Sequence, residues 1–156
     1  MTYAAQLLPA LLLLIAANAT PVVAAWLLHG RLAAPLDGGA RLGDGTRVLG
    51  DHKTWSGLVA GVMGCAIAAK CLGLTLAVGF AFGALSLLAD AASSFVKRRL
   101  RLAPGAEIPG LDQVPEALLP LLALSAPLGI DLPGCLMDTA VFLTLDVAFA
   151  RLRRST

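Results

Sequence analysis

The chain has 156 residues, 58% of apolar types and 14% charged, with a mean hydropathy of +0.81. Ordinary soluble domains carry about 25% charged residues, so this composition describes a membrane protein. At ~20 residues per crossing, the length admits about four to six spans and excludes a separate soluble domain.

The apolar stretches run without the polar alternation of a barrel strand, so the spans are expected to be helices. Residues 4–28 carry no charge and predict a first helix. No basic segment precedes this run, and it is too long for a signal h-region, which argues against a cleaved signal peptide. Residues 29–54 turn to Gly, Asp and Arg, with Pro35 and the pairs Asp37-Gly38 and Asp44-Gly45, and predict a polar loop. The stretch 55–89 contains one charge, Lys70, and would be ~52 Å long as a single helix, so it must fold back near Lys70 and Gly73. Two helices follow, at 55–70 and 74–97. Gly57 and Gly61 on one, and Gly79 and Gly83 on the other, are small-xxx-small pairs suited to close helix packing, or to a homodimer. Residues 98–111 form a second polar loop. Helices at 112–128 and 132–152, joined through Gly129 to Gly134, complete an all-α protein of five transmembrane helices in one membrane domain, 1–156.

Eleven of the twelve basic residues fall in three clusters: Arg31, Arg41, Arg47 and Lys53; Lys97, Arg98, Arg99 and Arg101; and Arg151, Arg153 and Arg154. Five crossings place all three on one side, with only Lys70 and Asp131 opposite. The positive-inside rule makes that side cytoplasmic, so the two polar loops and the C-terminus are expected inside and the N-terminus outside.

Function has to be sought among the polar groups at that face. Cys65, Cys71 and Cys135 show no metal-ligand spacing and read as packing residues. Asp90 ends an uncharged run on the third helix, and Asp112 opens the fourth at the same membrane level. Ionisable groups beside hydrocarbon need a partner, a metal or water. Two carboxylates next to basic loops suit Mg²⁺, which is held by one or two carboxylates plus substrate phosphates, or they pair with neighbouring Lys and Arg. The run Lys97-Arg98-Arg99-Leu100-Arg101 either sets topology or, with Ser93 and Ser94 one turn away, binds a polyphosphate. Gly45 to Thr54 imitates a Walker A loop, but Lys53 arrives two residues late and no strand precedes it. Asp37-Gly38-Gly39-Ala40-Arg41 is one residue short of the opening of the phosphatidyl transferases that consume CDP-lipids, and no downstream Gly-x3-Asp-x3-Asp follows.

Three segments together resemble the CTP-dependent phosphatidate cytidylyltransferase group, specifically its small archaeal branch, the CDP-archaeol synthases. Asn18-Ala19-Thr20-Pro21 is an N-x-x-P element. Pro35-Leu36-Asp37-Gly38-Gly39, followed by Arg47, Gly50, Lys53, Thr54 and Gly57, is similar to the group's R-x-x-G-x-x-K-T-x-x-G loop. Asp90, Ser93, Ser94, Lys97 and Arg98, then Gly105, Pro109, Gly110, Asp112 and Gln113, parallel the signature of the larger enzymes. Ala89 stands where a glycine is commoner, Gln113 where those enzymes have arginine, and Ala103 to Gly110 replaces their Lys-Asp pair and His-Gly-Gly.

The resemblance implies a nucleotidyltransferase of phospholipid biosynthesis in the cell membrane. Its substrates would be CTP and an isoprenoid ether-lipid phosphate, 2,3-bis-O-(geranylgeranyl)glycerol 1-phosphate, with Mg²⁺ as cofactor and no nucleic-acid partner. Asp90 and Asp112 would hold the metal and, with Lys97, form the catalytic set. Asn18, Asp37, Gly38, Arg47, Gly50, Lys53, Thr54, Ser93, Ser94, Lys97, Arg98, Pro109 and Gln113 would surround the nucleotide and its phosphates. Asp138 and Asp146, eight residues apart on the fifth helix and separated by roughly 80° around its axis, lie outside the signature. They suggest the rival reading of a small multi-pass ion or proton transporter subunit. A non-catalytic scaffold held by the glycine faces is a third reading.

Overall fold

The computed structural model describes residues 3–102 and 108–154, with six helices among them: α1 Tyr3–Leu27, α2 Trp55–Cys71, α3 Leu76–Arg99, α4 Gln113–Ala123, α5 Ser125–Leu128 and α6 Leu132–Arg154. No extended strand occurs among the described residues, only two isolated bridges inside the 29–54 loop, Pro35 to Thr54 and Arg41 to Arg47. Three helices are long and apolar enough to cross a membrane: Leu7–Leu27, Leu76–Arg99 and Leu132–Arg151. Trp55–Cys71 is apolar but shorter.

Local chemistry sets the helix ends. Thr54 caps α2, its hydroxyl accepting from Gly57 N at 3.2 Å, and Thr75 caps α3 by accepting from Val78 N at 3.3 Å. Between them the chain reverses through Gly73, whose φ of +78° suits a residue without a Cβ. Asp131 accepts from Gly134 N at 2.9 Å and opens α6 in the same way. The helix expected over 112–128 is interrupted at Leu124. Pro127 has no N–H to offer the carbonyl of Ala123, and its ring would crowd that carbonyl, so α4 ends there.

Helix α2 packs against α1 and α3, and α4 lies between α3 and α6. The interior is built from Leu13, Leu14, Ala17, Cys65, Ala69, Phe82, Leu121 and Phe142. A Cβ added at Gly79 would come 2.5 Å from Ala66 Cα, and one at Gly83 would come 2.9 Å from Val62 Cα. Gly79 and Gly83 thus bring α3 backbone to backbone against α2, while Gly61 lies against Pro21 and the Ala17 carbonyl of α1. Outward, the helices present Ile15, Val22, Trp26, Val59, Ile67, Leu88 and Phe149, an apolar belt without a partner among the described residues.

Both polar loops collect at one end of the bundle. Arg99, closing α3, reaches Asp44 Oδ2 at 3.3 Å, Thr46 Oγ1 at 2.6 Å and the Arg47 carbonyl at 3.0 Å, which pins the first loop to the α3 terminus. Lys97 ties the same terminus to Asp112 at the start of α4.

Candidate active site

At this end a cavity of about 540 Å³ opens between α1, α2, α3 and the first loop. Asn18 enters it from α1, Lys53 and Thr54 from the loop and the α2 cap, Asp90 from α3 and Glu116 from α4. The α2 N-terminus therefore faces the cavity with the positive end of its dipole, a favourable place for phosphate. Arg31 and His52 also line it and add cationic and hydrogen-bonding capacity.

Across the cavity, the Lys53 ammonium donates to Asp90 Oδ2. Asn18 donates through Nδ2 to the Leu14 carbonyl at 3.1 Å and shares the cavity wall with Glu116. Glu116 is only 5% exposed, so a second carboxylate stands beside Asp90 on the buried wall.

A second polar assembly adjoins the first along α3. Asp90, Ser93, Ser94 and Lys97 recur at helical spacing and so share one face, turned toward the leading turn of α4. Ser93 Oγ bonds the carbonyls of Ala89 at 3.1 Å and Leu111 at 2.9 Å. Lys97 Nζ lies 2.8 Å from Asp112 Oδ1 and 2.9 Å from Oδ2. Asp112 occupies the N-cap position of α4 but makes no cap bond, so its carboxylate is committed to the lysine. Ser94 and Arg98 are buried on this helix, and Pro109 is exposed in the turn before α4. Gly105 of the signature lies outside the described residues.

A third group of expected phosphate contacts forms the frame of the first loop. Asp37 accepts from Arg47 at 2.8 Å, Leu49 N at 2.9 Å, Gly39 N at 3.0 Å and Gly50 N at 3.3 Å. The Arg47 guanidinium beside Asp37 holds its carboxyl well below the usual carboxylate range, and the backbone N–H groups assist against the opposing effect of burial. Arg47 also bonds Asp51 at 2.6 Å, and these two carboxylates raise its own pKa. Gly38 and Gly50 take positive φ, +56° and +109°, at the bends this frame needs. Asp37, Gly38, Arg47 and Gly50 thus turn to one another rather than into the cavity, while Asn18, Lys53, Thr54 and Asp90 do meet there.

Gln113 likewise faces inward. Its Oε1 accepts from Gly110 N at 2.9 Å, and its Nε2 donates to Asp146 Oδ2 at 2.7 Å. Asp138 is buried, with Oδ2 meeting no hydrogen-bond donor among the described residues. Glu116, Arg31, Asp51, His52 and Ser56 are polar lining residues that motif reading did not place in the site.

A family model described as CarS-like, CDP-archaeol synthase, matches residues 4–77 and 67–151. A CDP-archaeol synthase of Hyperthermus butylicus is 38% identical over 91% of this chain and 82% of its own length. That of Aeropyrum pernix is 45% identical over 79% and 68%, and that of Thermococcus gammatolerans 37% over 83% and 78%. A solved structure described as an intramembrane enzyme for archaeal membrane lipids biosynthesis superposes with a TM-score of 0.72 at 36% identity, covering 91% of this chain and 90% of the other. With matches of this extent along the helical bundle and its polar loops, the chain belongs to the CarS-like family of CDP-archaeol synthases.

Proposed function

We propose that the protein transfers the cytidylyl group of CTP to 2,3-bis-O-(geranylgeranyl)glycerol 1-phosphate, releasing pyrophosphate and forming CDP-archaeol. The observation that carries this reading is the cavity in which Lys53 and the α2 N-terminus face Asp90, next to the Lys97–Asp112 pair. A water-soluble nucleotide and a bilayer-bound phosphate have to meet at such a boundary between polar loops and apolar helices.

In the reaction, a phosphate oxygen of the lipid attacks the α-phosphorus of CTP in line. The new P–O bond forms as the bond to the α,β-bridging oxygen breaks, and both electrons of that bond leave with pyrophosphate. No protein nucleophile is needed, so catalysis is positioning and charge neutralisation. Lys53 and the Thr54 end of α2 bind phosphate oxygens; Lys97 and Arg98 offset charge on the departing pyrophosphate. Ser93 holds the Leu111 carbonyl and so keeps α4 beside α3. Asn18 and Glu116 shape the buried wall, and Asp37 with Arg47 fixes the loop that presents Lys53.

The donor set fits a divalent cation such as Mg²⁺. Asp90 and Asp112 are hard oxygen donors, each paired here with a lysine, Lys53 or Lys97, whose place a cation would take. Mg²⁺ is commonly held by one or two carboxylates together with water and substrate phosphates, and two carboxylates are what these helices offer. When bound, it supplies neutralisation of the negative charge on the α- and β-phosphates.

The same reading places five crossings in the cell membrane, α4 and α5 together making the fourth, with the N-terminus outside and the site on the cytoplasmic side. The test is incubation of purified protein with labelled CTP, Mg²⁺ and the lipid phosphate. A labelled chloroform-soluble product, abolished by EDTA and restored by excess Mg²⁺, is expected; no such product overturns the proposal.

A further inference from the structure

Asp146 is absorbed neither by the signature nor by the cavity, yet one side chain, Gln113, joins it to the signature. The Gln113 amide spans two partners: Nε2 donates to Asp146 Oδ2 at 2.7 Å, and Oε1 accepts from Gly110 N at 2.9 Å. The bond from Gly110 N forward to the glutamine carbonyl three residues later closes a tight local turn. It fixes the turn that ends in Asp112. An amide left alone can rotate and exchange its ends; one whose NH₂ is engaged by a carboxylate has its carbonyl orientation set. With Gln113 7% exposed, both its polar ends are occupied inside the fold. The amide is thus engaged at both ends within the fold, at the position where the resemblance places an arginine in the larger enzymes.

We propose that Asp146 is a positioning residue for cytidylyl transfer. It locks the Gln113 amide so that the Gly110–Asp112 turn holds the Asp112 carboxylate against Lys97. The inference rests on the reading that Asp112 serves the reaction. It gives α6 a part in the site: Ser93 grips this turn from α3 through the Leu111 carbonyl, and Asp146 grips it from the opposite helix through Gln113. What the device needs from residue 146 is an acceptor, not a charge, so it differs from a proton or cation path, in which the ionisable group itself is indispensable.

Four variants test it in purified, lipid-reconstituted protein. Asp146→Ala removes the acceptor and is expected to lower kcat about tenfold or more, as small misplacements of reacting groups do, with KM for CTP within about twofold. Amide exchange over residues 108–113 should quicken in the same protein. Asp146→Asn keeps an acceptor and should retain most of the turnover. Gln113→Glu sets two carboxylates against each other and should fall as far as Asp146→Ala. In Gln113→Glu/Asp146→Asn the bond is rebuilt with donor and acceptor exchanged, and turnover should recover. A double variant no better than Gln113→Glu, or Asp146→Ala with wild-type kcat, overturns the proposal. If Asp146→Ala fails to fold, the Asn variant and the double variant still decide. Should the unmodified protein make no labelled lipid, it is the reaction that fails, while amide exchange at residues 108–113 still reports on positioning: unchanged exchange in Asp146→Ala refutes it.

Discussion

Asp90 and Asp112 work from adjoining helices, and each holds its own lysine, Lys53 or Lys97. Converting either to asparagine keeps the volume and a hydrogen-bond acceptor but removes the charge that a phosphate-bound cation would meet. Asp90→Asn and Asp112→Asn are therefore each expected to lower kcat about a hundredfold or more, with the thermal midpoint of the detergent-solubilised protein little changed. Near-normal turnover in either would remove that carboxylate from the metal. These two were legible in the chain because an acidic residue beside hydrocarbon is costly and its signature spacing repeats on one helical face. Glu116 was not. It lies in a helical, mostly apolar stretch, and only the packing of α4 near Asn18 and Asp90 turns it into the cavity. The Asp146–Gln113 bond was equally hidden, since it joins residues 33 apart on different helices. Arg47 shows the converse: motif spacing marks it, but spacing cannot tell a phosphate ligand from an internal strut that bonds Asp37 and Asp51.

At the scale of elements, the first loop behaves as one folded unit because its acceptors are concentrated in Asp37. The carboxylate's pKa is depressed in the folded loop by Arg47 and three backbone N–H groups. A depressed folded-state value means that the stability Asp37 contributes is fully present above its unfolded pKa, about 4, and is lost as pH falls below it. Amide protection of residues 36–50, corrected for intrinsic exchange, should hold from neutral pH to about pH 4 and then decline. In Asp37→Asn it should be weak already at neutral pH and lack that decline; an unaltered profile would show that the loop is held by other bonds. The α2–α3 contact offers a second test, because it depends on bare backbone. A methyl at Gly79 meets Ala66 Cα at 2.5 Å and the Cys65 carbonyl at 2.6 Å, neither of which is a flexible chain end. Gly79→Ala should cost about 1–3 kcal/mol in unfolding measurements, and a neutral result would mean that the helices part without penalty. The glycine spacing announced close helix contacts; that Gly79 and Gly83 meet α2 while Gly61 meets α1 emerges only from the packing.

For the whole molecule, the apolar residues left outside and the polar loops gathered at one end make it an asymmetric body that has only one sensible immersion in a bilayer. The two long loops carry most of the basic residues, and the opposite end presents the α2–α3 reversal, where Cys71 is exposed while Cys65 and Cys135 are buried. Cys71 is thus a native reporter of orientation, and the other two thiols contribute no background. If the loops face the cytoplasm, a membrane-impermeant maleimide should label Cys71 in right-side-out vesicles and leave it unlabelled in inverted ones. Gly43, exposed in the first loop with no atom within 4 Å of a built Cβ, accepts a cysteine without disturbing the Asp37 frame. Gly43→Cys in a Cys71→Ser background should give the reverse pattern. Labelling of Cys71 only from the cytoplasmic face would invert the molecule and put the cavity on the outside, away from cytoplasmic CTP; labelling of both positions from one face would break the chain of five crossings, since the two residues would then lie on the same side of α2.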